Sequence, residues 1–470
     1  MTTTGAAQFI DGAWVDADGG GRWDVIDPAT EQIVANVPFG GAADVDRAID
    51  AAHRAFPAWR ARTPYDRGAI LRRAADLMRA RAEQLAELTV REAGKPLAEA
   101  VGEWRVSADL FEWFAEEGKR VHGYTLPSRV ATKRVMVLKE PIGVVGVITA
   151  WNFPAYNPAR AVAAALAAGC TVVMRPSELT PLSGMAIAAI LQEAGLPAGA
   201  LDLVNGEPAA MGQAMLDHPH LRKISFTGSV GVGKLLMDGA SRTMTRLSLE
   251  LGGNAPVLVL PDANLEAVAR GAVAAKFRNA GQVCVSPQRF FVERQHVRAF
   301  EEVVVDEVRK TRIGPLISER HRERVEALIA SAVSAGATIR TGGVRPAGPG
   351  FFLEPTVLGG VGPTMPASAE EIFGPLFAVT AFDQVDAAID AANRTRYGLA
   401  AYVFTNDLPA AMRAYERLDF GMIGINDWSP QATEAPFSGR KDSGMGHESG
   451  HEGLLENLET KLVSFGNVAP

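Results

Sequence analysis

Cysteine is nearly absent from this 470-residue chain: only Cys170 and Cys284 occur. A disulfide framework is therefore excluded, and a reducing, cytoplasmic setting is the expectation. Long apolar runs are lacking too. The longest, around Ile142 to Trp151, falls far short of the ~20 residues that span a bilayer, so no membrane partner is expected. Met1 to Gly12 has neither a basic nor an apolar segment of the kind that directs secretion. No Lys/Arg cluster offers a phosphate-binding face, and the net charge is −7, which argues against a nucleic-acid partner. What is present is 47% apolar and 21% charged residues, the balance of a globular protein with a large core. The length exceeds one ordinary domain, so two or three units are expected.

From Asp44 to Lys119 apolar residues recur with helical spacing, as in Ala48, Ile49, Ala52 and Phe56. Thr125-Leu126-Pro127-Ser128 then reads as a turn, and Arg134 to Leu138 as the returning strand of a hairpin. The rhythm changes after it. Short β-rich runs at Gly143–Thr149, Thr171–Met174, Ala200–Val204 and Lys223–Phe226 alternate with helical segments, which predicts βαβ units and a parallel sheet. Thr180-Pro181 has the form of a helix start, with Thr as N-cap and Pro at the first helical position. A second α/β section, about Ala255 to Arg440, contains strands at Val257–Leu260, Arg289–Glu293 and Gly398–Phe404. The tail Thr460 to Phe465 reads as an edge strand that two subunits could share with the hairpin.

Five motifs carry possible chemistry, each with a plainer reading beside it. A lone cysteine is commonly a small buried hydrophobe, and Cys170, set among small residues before a strand, fits that description. Cys284 instead follows Asn279-Ala280-Gly281-Gln282, a small and polar stretch suited to an accessible loop where helix N–H groups would lower the thiol pKa. Glu250 would ordinarily be a solvated charge, but it ends the run Leu247-Ser248-Leu249 and precedes Gly252-Gly253. A carboxylate carried into such a cleft has a raised pKa and suits a general base. Asn152, in Thr149-Ala150-Trp151-Asn152-Phe153-Pro154, is either turn chemistry or an amide placed at a strand's carboxyl end to polarise a carbonyl. Phe226-Thr227-Gly228-Ser229 through Lys234 is a glycine-rich strand-to-helix turn that nearly matches a P-loop, but Leu235 stands where a magnesium-ligating hydroxyl is needed. His447-Glu448-Ser449-Gly450-His451 satisfies the zinc pattern H-E-x-x-H. Gly446, Gly450 and Gly453 each disfavour the helix it requires by about 1 kcal/mol, so no metal is expected.

Taken together these residues resemble the aldehyde dehydrogenase superfamily, from Phe9-Ile10-Asp11-Gly12 to Lys461-Leu462-Val463. Phe226-Thr227-Gly228-Ser229, Glu250-Leu251-Gly252-Gly253, Gly281-Gln282-Val283-Cys284, Glu371-Ile372-Phe373-Gly374-Pro375 and Pro436-Phe437 stand in the family's order. The resemblance implies a Rossmann-like cofactor domain (1–121 and 142–252), a second α/β catalytic domain (253–442) and a small β oligomerisation unit (122–141 and 443–470), assembled as a homodimer or homotetramer. It implies oxidation of an aldehyde to the acid with NAD, NADP being possible. Cys284 would be the nucleophile, Glu250 the base that hydrolyses the thioester, and Asn152 with the Cys284 backbone N–H the oxyanion donors. Thr149, Trp151, Arg175, Ser177, Glu178, Thr227, Gly228, Ser229, Leu251, Glu371 and Phe373 would hold the cofactor.

Three departures stand out. Arg175 replaces the usual lysine at the ribose, although Glu178 there still favours NAD by repelling a 2′-phosphate. Lys310 to Pro315 is shorter than the family's loop, and Ser438-Gly439-Arg440 replaces a Gly-Gly-apolar sequence. Arg160 and Arg278 fall where succinate-semialdehyde dehydrogenases hold a substrate carboxylate, a group that a guanidinium fork pairs well. Alternatively, Arg160 salt-bridges a neighbour and Arg278 caps its helix. Gln431 stands where that subfamily carries a serine, and Trp428 would equally wall an aromatic-aldehyde site. The rival activities are CoA acylation or thiol hydrolysis at Cys284, and nucleotide hydrolysis at Gly228.

Overall fold

The computed structural model describes residues 8–468, so residues 1–7 of the leading stretch and 469–470 of the tail lie outside the described residues. Four consecutive βα units and a fifth strand build the parallel part of the first sheet. In chain order its parallel strands are Val144–Ile148, Thr171–Arg175, Leu201–Leu203, Leu221–Thr227 and Arg246–Glu250. In space the order is third, second, first, fourth, fifth. That is the doubly wound arrangement, and it reverses direction between Val144–Ile148 and Leu221–Thr227, where ligands of such sheets bind. Val144–Ile148 and Thr171–Arg175 are buried along their whole length, as expected for strands covered on both faces. One face is covered by helices that include Pro64–Ala80, Leu97–Glu117 and Tyr156–Ala168. The other is covered by Ala42–Arg60, Pro208–Asp217 and Val230–Ala240.

The second sheet has seven strands, six of them parallel around Ala255–Val259 and Pro287–Glu293. The only antiparallel member among the described residues is the edge strand Thr338–Thr341. The predicted hairpin is present, Tyr124–Leu126 pairing with Arg134–Pro141. The tail strand Leu458–Phe465 pairs along the other side of Arg134–Pro141. The short strands near the N-terminus, Gln8–Ile10, Ala13–Val15, Arg22–Ile26 and Ile33–Pro38, have no counterpart in the sequence reading. No helix among the described residues is long and apolar enough to cross a membrane.

One expected cap differs. Helix Pro181–Glu193 does begin after Thr180, but the Thr180 hydroxyl donates to the Trp151 carbonyl at 3.3 Å. Buried Glu92 caps the helix instead, accepting from the Leu182 N–H at 2.6 Å and the Ser183 N–H at 2.9 Å. A carboxylate at a helix N-terminus satisfies orphan N–H groups and meets the positive end of the helix dipole.

Candidate active site

The carboxyl ends of the first sheet's strands converge on one cleft of about 310 Å³. The loop after Val144–Ile148 brings Trp151 and Asn152 to it, and the turn after Leu221–Thr227 brings Gly228 and Ser229. Glu250 and Leu251 follow the fifth strand, while Glu371 and Phe373 reach across from the second α/β section. Ser229 caps helix Val230–Ala240, its hydroxyl accepting from the Val232 N–H at 3.4 Å, so a helix N-terminus opens beside the cleft. Trp151 meets His321 and Phe373 edge-on, with centroids 5.5 and 5.3 Å away, which joins the two α/β sections.

A second cavity, of about 560 Å³, lies on the far side of the nucleophile loop. Phe153, Tyr156, Arg160, Arg278, Gln431 and Phe437 are among its walls. Cys284 and Asn157 line both spaces. A thiol at the junction of two clefts is reachable from each side, which is the geometry required of a nucleophile that must meet two molecules. Cys170, in contrast, is fully buried and its thiol is directed at the Asn457 carbonyl.

Electrostatics differ from the sequence expectation at the thiol. Burial pushes Cys284 up to about 12, with Arg160 opposing and the carboxyls of Glu371 and Glu250 adding to the rise. Helix N–H groups do not lower it. Helix Leu265–Phe277 ends before this loop and offers carbonyls there, and Asn279 and Ala280 then take positive φ of 49° and 54°. Glu250 does follow expectation: burial holds its carboxyl well above the ordinary range, Arg160 opposing and Glu448 reinforcing. Neither Glu250 oxygen accepts a hydrogen bond among the described residues. Glu371, pushed to about 7 by burial, instead accepts from the Gly253 N–H at 3.0 Å. A side chain at Gly253 would collide with the Cys284 carbonyl at 2.4 Å, so glycine there lets the Glu250 and Cys284 loops pack together.

The Asn152 side chain is set from both ends. Its amide donates to the Gln282 carbonyl at 3.1 Å, and its oxygen accepts from Asn157 at 3.2 Å. Asn157 and His321 are not singled out by the sequence, and Gln282 enters there only as part of the loop before Cys284. The cleft's lining does not include Thr149, Arg175, Ser177 or Glu178. They occupy the carboxyl ends of the first two strands and the turn after the second. Arg175 donates to Glu178 at 2.7 Å and to the Gly206 carbonyl at 2.9 Å. The Thr149 hydroxyl is buried without a partner.

At the second cavity, Arg160 is buried and ion-paired with Glu448, which also accepts from Ser225. Arg278 carries no ion pair among the described residues and lies over the Phe153 ring, 5.5 Å from its centroid. Gln431 donates to Ser429 at 3.4 Å. Trp428 packs on Phe404 at 4.2 Å and borders a separate recess with Gly271, so it does not wall the cavity at Cys284. The H-E-x-x-H side chains diverge, His447 to Glu456, Glu448 to Arg160 and His451 to Glu117, and no metal-binding cluster occurs among the described residues. Lys234 of the near P-loop pairs with Asp442 at 3.0 Å.

The aldehyde dehydrogenase family profile matches residues 14–463. The chain belongs to the aldehyde dehydrogenase family. It is 44% identical to the 3-sulfolactaldehyde dehydrogenase of Pseudomonas putida, over 98% of this chain and 97% of that protein. It is 43% identical to the NADP(+) succinate-semialdehyde dehydrogenase GabD of Escherichia coli, over 97% of each. The crystal structure of succinate-semialdehyde dehydrogenase from Burkholderia pseudomallei superposes with a TM-score of 0.96 at 45% identity, covering 98% of both chains. The protein is thus an oxidoreductase that converts an aldehyde to its acid with a nicotinamide dinucleotide.

Proposed function

We propose that this aldehyde dehydrogenase acts on small aldehydes bearing an anionic group, with Cys284 as nucleophile and Glu250 as the water-activating base. The observation that carries the reading is the meeting of two cavities at Cys284, one of them lined by Arg278. That guanidinium makes no ion pair among the described residues, although Glu99 on the same wall feels its charge, and it suits a carboxylate or sulfonate. The relatives named for sulfolactaldehyde and succinate semialdehyde support the same class.

The first cleft fits a dinucleotide. It lies at the reversal point of a doubly wound sheet, and a helix N-terminus opens on it. Trp151, Thr227, Gly228, Ser229 and Leu251 would hold the phosphates, Glu371 and Phe373 the nicotinamide ribose, and Arg175, Ser177 and Glu178 the adenosine ribose. When bound, the nicotinamide supplies the hydride acceptor. Glu178, fixed by Arg175 as an acceptor, favours ribose hydroxyls over a 2′-phosphate, so NAD is preferred with NADP also used.

The residues divide the remaining work. Sγ of Cys284 bonds to the aldehyde carbon, and the thiol, protonated at neutral pH, gives its proton to solvent as it attacks. The Asn152 amide and the Cys284 N–H hold the carbonyl oxygen as it gains charge, each such donor being worth about 3 kcal/mol of barrier. After oxidation a thioester joins the acyl group to Cys284. Glu250, in its ionised form, takes a proton from water, the water oxygen bonds to the acyl carbon, the C–S bond breaks, and the proton on Glu250 passes to the leaving sulfur to restore the thiol.

Oligomerisation through the hairpin-and-tail sheet, where Tyr124, Leu126, Leu462 and Phe465 are exposed, belongs to the same proposal, as do the three-unit division and a cytoplasmic location. A panel of aldehydes read by NADH formation tests the substrate class. Carboxylated or sulfonated aldehydes should show the highest kcat/KM. A preference for neutral aliphatic or aromatic aldehydes would refute it.

A further inference from the structure

Lys95 lies in the tight link between two helices, Ala82–Ala93 and Leu97–Glu117, at Gly94-Lys95-Pro96. Gly94 has a positive φ of 67° and sits against Pro315 and Pro28, so the link is clamped and Lys95 turns inward. Its side chain is fully buried, although lysine is almost never so without a partner. The partner is Glu103, two turns along the helix and itself buried. Burial works against the Lys95 charge, and Glu103 and Glu99 oppose that loss.

A buried ion pair is often no more stabilising than well-packed apolar side chains of the same volume, so its use has to be sought in what it touches. The Lys95 ammonium donates to the Asn152 backbone carbonyl at 3.0 Å and lies 3.9 Å from the Phe153 ring centroid. The other Glu103 oxygen accepts from the N–H groups of Ala155 and Tyr156, at 2.8 and 3.1 Å. These are the first amides of helix Tyr156–Ala168, which carries Asn157. Asn157 in turn donates to the Asn152 side-chain oxygen. Asn279, anchored through its N–H to Glu99 at 2.8 Å, donates from its amide to the same Asn152 carbonyl at 3.0 Å and to the Gln282 carbonyl at 3.2 Å. The Asn152 amide points at that same Gln282 carbonyl. Thus the main chain of Asn152 is tied directly to Lys95, and its side chain is tied through Asn157 and the start of that helix to Glu103.

We propose that the buried Lys95–Glu103 pair is a positioning device for the oxyanion donor, holding the 152–156 turn so that the Asn152 amide faces the carbonyl attacked by Cys284. The pair touches no reacting atom and acts through Asn152. The inference rests on Asn152 being an oxyanion donor, and the test separates the two claims.

The readout is the rate of the first-turnover burst of NADH with saturating aldehyde and cofactor, measured in a mutant cycle of Lys95→Met and Asn152→Ala. Displacing a catalytic group by about 1 Å costs on the order of 100-fold. Lys95→Met should therefore slow the burst by roughly that factor, leave the cofactor Kd unchanged, and add little in the Asn152→Ala background. Because a lone buried Glu103 can itself unfold the chain, the double variant Lys95→Met/Glu103→Gln carries no net buried charge and serves as the second test. Its melting temperature should recover while its burst stays slow. If Asn152→Ala keeps the full burst rate, the oxyanion reading of Asn152 fails. If Asn152→Ala is slow but Lys95→Met slows it equally again, or the neutral double variant regains the wild-type rate, the positioning role alone is refuted.

Discussion

The guanidinium of Arg160, on the wall of the second cavity, lies against the buried carboxylate of Glu448, which in turn accepts from Ser225 of the first sheet. Cation–π contacts to Tyr156 at 5.3 Å and Phe437 at 4.2 Å complete its surroundings. Removing one member of a buried pair leaves the other uncompensated, at a cost of about 3–5 kcal/mol. Arg160→Ala should therefore lower the melting temperature markedly. Thermal denaturation of that variant checks this, and an unchanged Tm would show that Glu448 finds another partner.

Arg278 should behave in the opposite way. It is half-buried, unpaired and set on the cavity wall, so Arg278→Gln should leave Tm close to wild type. A hydrogen bond to a charged group is worth about 1.5–3 kcal/mol, which corresponds to a rise of tenfold or more in KM for succinic semialdehyde. KM for a neutral aldehyde such as propanal should not move. Steady-state kinetics with the two substrates decide it, and parallel shifts in both would remove Arg278 as the anion's partner.

With burial holding the Cys284 thiol near 12, little thiolate exists at neutral pH in the free enzyme. Alkylation by iodoacetamide should be slow at pH 7 and accelerate about tenfold per pH unit towards pH 10, since the thiolate is the reacting form. Peptide mass spectrometry should find the adduct on Cys284 and none on fully buried Cys170. Rapid, pH-independent labelling would mean that the thiolate is stabilised in the resting site.

Much of this site was legible because its chemistry is carried in contiguous segments. Cys284, Glu250 and Asn152 each sit in a short motif at a strand end or loop, and a parallel sheet brings strand ends together whatever lies between them. The strands that were named followed from buried β-branched runs, with boundaries off by one to three residues, whereas Arg246–Glu250, Thr356–Gly359, Leu376–Phe382 and Met422–Ile425 were not named. What escaped depends on pairings distant in sequence. Glu448 appeared only as the centre of an unfavourable zinc pattern, because its partner Arg160 lies hundreds of residues earlier. Lys95 and Glu103 fall inside the stretch Asp44 to Lys119 read only as helical, and nothing local marks them as buried. The cap at Thr180 failed for the same reason: Glu92, from another helix, takes the N–H groups that the Thr180 hydroxyl was expected to satisfy. The direction of the Cys284 shift depends on burial, which no local pattern encodes.

Glu92 also predicts a pH dependence of stability. Its carboxyl is pushed to about 7 by burial, against 4.5 when exposed, with the hydrogen bonds from Ser183 and Leu182 only partly opposing. The folded protein thus holds this proton over a pH range where the unfolded chain releases it. The stability it confers is complete below about 4.5 and is lost as pH rises towards 7. The full difference is about 3 kcal/mol for a shift of this size. Urea denaturation of wild type and Glu92→Gln between pH 5 and 8 checks it, and the variant should lose this part of the slope. Equal slopes in the two proteins would contradict the assignment.

The central claim is tested most directly by a single turnover of Glu250→Gln with an anionic aldehyde and NAD. If Cys284 forms the thioester and Glu250 serves chiefly to hydrolyse it, NADH should appear in a burst stoichiometric with enzyme. The steady rate should then fall by on the order of 100-fold or more, as expected for loss of a general base, and intact-protein mass spectrometry should find the acyl group on Cys284. Undiminished steady turnover, or a burst with no mass added at Cys284, would contradict the account.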